Sequence, residues 1–118
     1  MPAILSTKSK APKEDAGKTK WSLLPMKALE QVVKVFEFGC SKYARDSWRK
    51  GFAYSDIYDA ALRHLTDWWE GEDIEDESKL YTISHAAWNV LILVHLVLFF
   101  PENDDRPHKK KEQDDERF

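Results

Sequence analysis

The stretch that most constrains this chain is Ile83–Phe100, which runs for 18 residues without an Asp, Glu, Lys or Arg and stops at Pro101. A segment this apolar either spans a membrane or forms the buried helix of a water-facing domain. A membrane span needs roughly 20 predominantly apolar residues and rarely tolerates unpaired polar groups. Ser84, His85, Asn89 and His95 interrupt this one. The expectation is therefore a central helix from about Tyr81 to Phe100, apolar nearly all round, with no membrane partner.

Two shorter stretches repeat at helical spacing and supply what that helix packs against. After Pro25, a residue favoured in a first helical turn, Ala28, Leu29, Val32, Val33 and Phe36 recur at intervals of three and four, and Gly39 is a plausible stop. A second helix starts near Ser55 or Asp56, either of which can cap it, and carries Ile57, Ala60, Ala61, Leu62, Leu65, Trp68 and Trp69 before Gly71. Nothing alternates at period two. The reading is all-α, a small helical bundle of three to five helices over residues 15–100. Residues 1–14, rich in Lys, Ser and Pro, read as a flexible lead-in, and 101–118 as a charged flexible tail. With 118 residues there is room for one modest core and not for two independent domains.

The formal net charge of −3 conceals a separation. Residues 21–65 carry seven bases against five acids, whereas residues 66–77 hold seven acids and no base. A mildly acidic total argues against a simple nucleic-acid clamp. One cysteine, Cys40, forms no internal disulfide, and no secretory leader is evident, so a cytoplasmic location is expected.

Three groupings could carry chemistry. On helices, His64 and Asp67 share a face, as do His85 and Asn89. A buried His and Asn on an apolar helix need partners, supplied either by a structural hydrogen bond or by a site. His95, ten residues past His85, points about 280° away and reads as structural. Between the second and third helices runs Glu70–Glu77, either a solvated acidic loop or an oxygen-rich site of the kind Mg²⁺ prefers. Finally, Lys42, Tyr43, Arg45, Trp48, Arg49 and Lys50 form a cationic and aromatic loop. It is either a surface loop tacked down by its rings, a holder of phosphates and a base, or a strip for single-stranded nucleic acid. Gly17-Lys18-Thr19 lacks the upstream glycine and strand of a phosphate-binding P-loop. No Gly-x-Ser-x-Gly, HExxH or CxxC motif occurs.

An ordered set of short motifs resembles a known family. Asp15-Ala16-Gly17-Lys18, Leu23-Leu24-Pro25, Phe38-Gly39, Lys42-Tyr43, Trp48-Arg49-Lys50-Gly51, Ala61-Leu62-Arg63-His64, Gly71-Glu72-Asp73-Ile74, Glu77-Ser78 and His85-Ala86 with Asn89 are similar, in order and spacing, to the small phage dATP/dGTP diphosphohydrolases. The resemblance covers about residues 15–98. Ser47 stands where that pattern has Asn, Lys79 where it commonly has Gly, and Thr82 near a frequent His. The resemblance implies a MazG-like all-α enzyme of phage nucleotide metabolism that converts a purine deoxynucleoside triphosphate to its monophosphate and pyrophosphate. MazG-like enzymes bind Mg²⁺ through a Glu-Glu-x-x-Glu motif, which is absent from this chain. Under this reading Glu72, Asp73 and Glu77 would hold Mg²⁺ (or Mn²⁺), and His64 or His85 would position water. Asn89 would orient a histidine or a phosphate. Lys42, Lys50 and Arg63 would bind phosphates, and Tyr43 or Trp48 the purine. So small a domain would work as a homo-oligomer with shared sites. The other readings are a non-catalytic nucleotide- or protein-binding module and a single-stranded nucleic-acid binder.

Overall fold

A computed structural model describes residues 16–108 together with Pro12, Glu14 and Lys110. The rest of the expected lead-in and tail lies outside the described residues. Three α-helices carry the fold: α1 (Met26–Cys40), α2 (Tyr54–Trp69) and α3 (Thr82–Phe99). Short 3₁₀ turns form at Trp21–Leu23, Ser47–Lys50 and Pro101–Asn103. The described residues contain no β-strand, only an isolated bridge between Ile74 and Tyr81. The α2–α3 pair has the most extensive packing, and α1 crosses onto α3.

The core is small. Tyr54 and Ile57 of α2 meet Ile92 and Leu96 of α3, with Phe36, Trp48, Phe52, Trp88, Leu93 and Phe100 packed around them. The Tyr54 hydroxyl donates to the Leu96 carbonyl at 3.1 Å, so the buried phenol is satisfied. Burying each of these large side chains stabilises the fold by about 1.5–3 kcal/mol.

The buried faces differ from the expected ones in an instructive way. On α1 the inward face is Val32, Val35 and Phe36, and Val33 is exposed. On α2, Leu62, Leu65, Trp68 and Trp69 remain exposed beyond Ala61. On α3 the buried positions include the polar ones, Thr82, Ser84, His85 and Asn89, whereas Val90, Leu91, Val94, Val97, Leu98 and Phe99 are exposed. The helix is long and apolar enough to cross a membrane, and a third of it is buried in the chain. Two neighbouring helices cover only one side of a third. The apolar circumference that suggested complete burial is thus used for only about a third.

Two other expectations change. No side chain of α2 caps its own first turn, since the N-cap is Ala53. The Asp105 carboxylate instead accepts from the Ser55 amide at 2.9 Å and from the Ser55 hydroxyl. A carboxylate there satisfies an orphan amide and faces the positive end of the helix dipole. The charged tail expected to be flexible from Pro101 is accordingly folded back as far as Arg106. Asn103 Nδ2 donates to the Phe52 carbonyl at 3.0 Å, and Arg106 pairs with Asp104 at 2.7 Å. This return passes Gly51, at φ +91°, where a Cβ would sit 3.0 Å from the Phe100 ring. Only glycine meets both the backbone angle and the close approach.

The acidic stretch is an internally bonded loop. Glu75 N–H donates to the Leu80 carbonyl, Lys79 N–H to the Glu75 carbonyl, and Thr82 N–H to the Asp73 carbonyl, at 2.8–3.0 Å. Lys79 takes a left-handed conformation at φ +62°. A side chain there costs roughly 1–2 kcal/mol relative to a right-handed residue.

Candidate active site

Between α1, the 42–52 loop and the α2–α3 pair lies a cleft of about 670 Å³. That volume falls in the range of small-molecule and cofactor sites, roughly 300–1,000 Å³. Its wall combines three kinds of side chain: the cations Lys42, Arg45 and Arg63, the aromatics Phe36, Phe38, Tyr43, Trp48 and Trp88, and the polar group His64, His85 and Asn89. Seven of the residues singled out from sequence therefore meet in one place: Lys42, Tyr43, Trp48, Arg63, His64, His85 and Asn89.

Local structure explains each placement. Residues four apart share a helical face, so α3 presents His85 and Asn89 together. They are 9% and 4% exposed, buried against α2. His64, from the facing side of α2, stacks on His85 with ring centroids 5.0 Å apart and planes inclined at 29°. The 3₁₀ turn at Ser47–Lys50 swings Trp48 inward, where it meets Phe36 and His95 edge-on at 5.5 and 5.0 Å. The Arg49 guanidinium covers its other side at 4.3 Å. Trp48 thus both tacks the loop down and lines the cleft, and His95 is a packing residue. Tyr43, 64% exposed, stands at the mouth. Lys50, at the end of the same turn, does not line the cleft.

Electrostatics keep the histidine pair neutral near pH 7. Burial, and then the charge of Arg63, hold His64 below its usual 6.5; burial, and then His64 itself, do the same to His85. Two stacked imidazoles cannot both take a proton cheaply, because the second charge is added beside the first. His85 Nε2 is within 2.7 Å of Ser78 Oγ and 3.6 Å of Glu75 Oε1. Glu75 in turn accepts from the amides of Glu77 (3.0 Å) and Ser78 (2.8 Å). Partial burial pushes its carboxyl upward, but those amides, the Ser78 hydroxyl and His85 bring it down to about 2. Ser78 and Glu75 meet the same imidazole nitrogen. They therefore do not form a Ser–His–acid relay, in which the acid takes the opposite nitrogen from the nucleophile.

The three carboxylates expected to hold a metal are not drawn together. Glu72 accepts from the buried Thr82 hydroxyl at 2.8 Å, and Glu77 pairs with Lys42 at 3.0 Å. Asp73 is exposed. Among the described residues no group of three or more His, Cys, Asp and Glu side chains converges as a bound ion would require. The described residues thus offer no such site of three or more side chains for Mg²⁺. The acid that does face the site is Glu75, missed in the sequence because it lies inside a run of seven. Its spacing of three from Ser78, a carboxylate able to close a turn on a serine amide, was the available signal.

Three buried polar atoms have no hydrogen-bond partner: His64 Nδ1, Trp88 Nε1 and Asn89 Oδ1. All three side chains line the cleft. An unpaired buried donor or acceptor costs about 1–3 kcal/mol and marks a place where a ligand can supply the partner. Asn89 Oδ1 orients neither histidine; Ser78 holds His85 instead.

Comparison with known proteins bears on this cleft. The family described as dATP/dGTP diphosphohydrolase, N-terminal, matches residues 8–106, which include every residue of the cleft. A protein of Salmonella phage PMBT28 named dATP/dGTP diphosphohydrolase is 33% identical over 94 residues, covering 80% of this chain. The chain spans about a third of that relative's length, 32%. No solved structure matches it.

Proposed function

The chain belongs to the dATP/dGTP diphosphohydrolase N-terminal family, and from that premise we propose that its cleft binds a purine deoxynucleoside triphosphate and hydrolyses it to monophosphate and pyrophosphate. The observation that carries the reading is the meeting, in one cleft, of a neutral histidine with a free Nδ1, three cations and a set of aromatic rings. Lys42, Arg45 and Arg63 hold the triphosphate as point charges and guanidinium forks. Tyr43 and Trp48 flank the base. His64 takes a proton from a water whose oxygen attacks the α-phosphorus; the bond from that phosphorus to the bridging oxygen breaks, and pyrophosphate leaves with the electron pair. His85, tied to Ser78, keeps the His64 ring in place by stacking. A divalent ion belongs, on this reading, to the substrate, as the counter-ion of the triphosphate.

The test is incubation with each of the four deoxynucleoside triphosphates and Mg²⁺, with separate detection of monophosphate and pyrophosphate. The expected result is pyrophosphate from dATP or dGTP and its loss on adding EDTA. Turnover that survives EDTA removes the ion from the reading. Absence of turnover with every nucleotide removes the enzyme, and salt-sensitive DNA binding in its place would make the chain a nucleic-acid binder.

We further propose that a second copy covers the apolar outer face of α3. Val94, Val97, Leu98 and Phe99 are 51–65% exposed there, a contiguous apolar surface that a lone soluble chain rarely keeps. Light scattering should give a multiple of the 13.8 kDa chain mass. A monomer at micromolar concentration refutes this assembly.

A further inference from the structure

Assigning the histidines to water and the cations to phosphate leaves two of the orphaned atoms without a task. Trp88 Nε1–H and Asn89 Oδ1 are buried and unpartnered, and both belong to side chains that line the cleft. Trp88 packs edge-on against Phe36, with centroids 5.6 Å apart at 61°. A phenylalanine would pack there without burying a donor. At Asn89, a leucine of similar size would fill the face with no polar atom to leave unpaired. Both residues therefore carry polarity that packing alone does not use. They are consecutive on α3, and Trp88 packs against Phe36, which in turn meets Trp48.

We propose that Trp88 and Asn89 read the edge of the purine base. This rests on the nucleotide reading of the cleft and adds to it the residues that select the base. The Trp88 indole donates to a ring-nitrogen acceptor of the base, which every purine presents. The Asn89 amide offers one donor and one acceptor group side by side, and rotation about its last bond exchanges them. Adenine presents an amino donor beside its N7 acceptor, the pairing an amide meets with two hydrogen bonds. Guanine presents its O6 acceptor beside the N1–H donor, which the rotated amide meets equally well. One amide thus accommodates either purine, and a purine without an exocyclic group forfeits one of the two bonds. In the unliganded cleft the same atoms stay unpaired, as observed.

The experiment compares wild type, Trp88→Phe and Asn89→Leu on dATP, dGTP and the triphosphate of 2′-deoxynebularine, whose purine lacks an exocyclic group. The wild-type chain should prefer dATP or dGTP to the analogue by about tenfold or more in kcat/KM, the discrimination one good pair of base contacts gives. In Asn89→Leu that preference should collapse to within about threefold, whereas Trp88→Phe, which loses a bond to an acceptor all three bases present, should lower kcat/KM by about tenfold on all three. Trp88→Phe should unfold at the same temperature as wild type or higher, since it removes a donor that has no partner in the free protein. That thermal result separates base reading from a structural role. A preference retained in Asn89→Leu, an unchanged kcat/KM in Trp88→Phe, or a loss of stability in Trp88→Phe matching its loss of activity, overturns the inference. Should wild type hydrolyse none of the three, isothermal titration of the same nucleotides tests the inference without the reaction. Binding with the wild-type preference, lost in Asn89→Leu, upholds base reading while the hydrolase reading fails. No binding, or binding indifferent to the base, overturns both.

Discussion

Replacing His64 by Gln should lower kcat by about 10²–10⁴-fold, the range in which a positioned proton acceptor contributes. His64 is the histidine of the pair with an unpaired ring nitrogen. His85 Nε2 is engaged by Ser78 at 2.7 Å, whereas His64 Nδ1 is buried, unpartnered and at the cleft wall. A glutamine keeps much of the volume and a polar tip but accepts no proton near pH 7. KM should change little, because the loss falls on the transition state and not on ground-state binding. The pH profile supplies an independent check. Burial and Arg63 hold His64 below 6.5, so the neutral form prevails at pH 7. Because the neutral form is the active one, wild-type kcat/KM should rise with pH through an apparent value under 6.5 and then level off. Steady-state kinetics between pH 4.5 and 8 measure both quantities. A His64→Gln variant within about threefold of wild type, or one that keeps the acid limb, would move the base elsewhere.

What the sequence disclosed follows from which forces are local. Helices α1 and α2 were legible because a repeat of three and four forces apolar groups onto one side whatever they later touch, and α3 because an apolar run of 18 residues up to Pro101 is too long for a strand. His85 and Asn89 stood out because polar groups on an apolar helix demand a reason. The partner of a face is another matter. Val33, Leu65 and Trp69 satisfy the same repeat as Val32 and Ile57, yet they are exposed, since only the third dimension decides which part of the stripe is covered. The cap of α2 was unreadable for the same reason: it arrives from Asp105, 50 residues further on. Lys50 and Lys42 look alike in a string of letters, yet only Lys42 lines the cleft.

The acidic run is where composition misleads most, and Glu75→Gln exposes why. Seven carboxylates suggest a metal, but the structure makes one of them the anchor of the loop and the neighbour of His85. In Glu75 both oxygens accept: Oε1 from the Ser78 amide and Oε2 from the Glu77 amide. Glutamine replaces one oxygen with an NH₂, setting donor against donor, and removes the charge from the other bond. The expected loss is about 1–3 kcal/mol, with the loop held to the start of α3 less firmly. For a chain of this size that lowers the melting temperature by about 4–8 °C per kcal/mol. The pH dependence gives the sign. Glu75 is held at about 2 in the fold against 4.5 in the unfolded chain, so its contribution is complete above pH 4.5 and lost as pH falls toward 2. The histidines add a separate loss. Their folded values lie below the unfolded 6.5, so the unfolded chain binds protons first and stability already declines below pH 6.5. Glu75→Gln should flatten the lower window and leave the upper one. The Glu75 charge also raises both histidines, so its removal should move the acid limb of kcat/KM to lower pH. Urea titrations from pH 3 to 8, read beside the kinetic profile, check both. An unchanged stability curve with an acid limb moved upward would contradict the role given to Glu75, because a carboxylate facing His85 cannot make that imidazole harder to protonate.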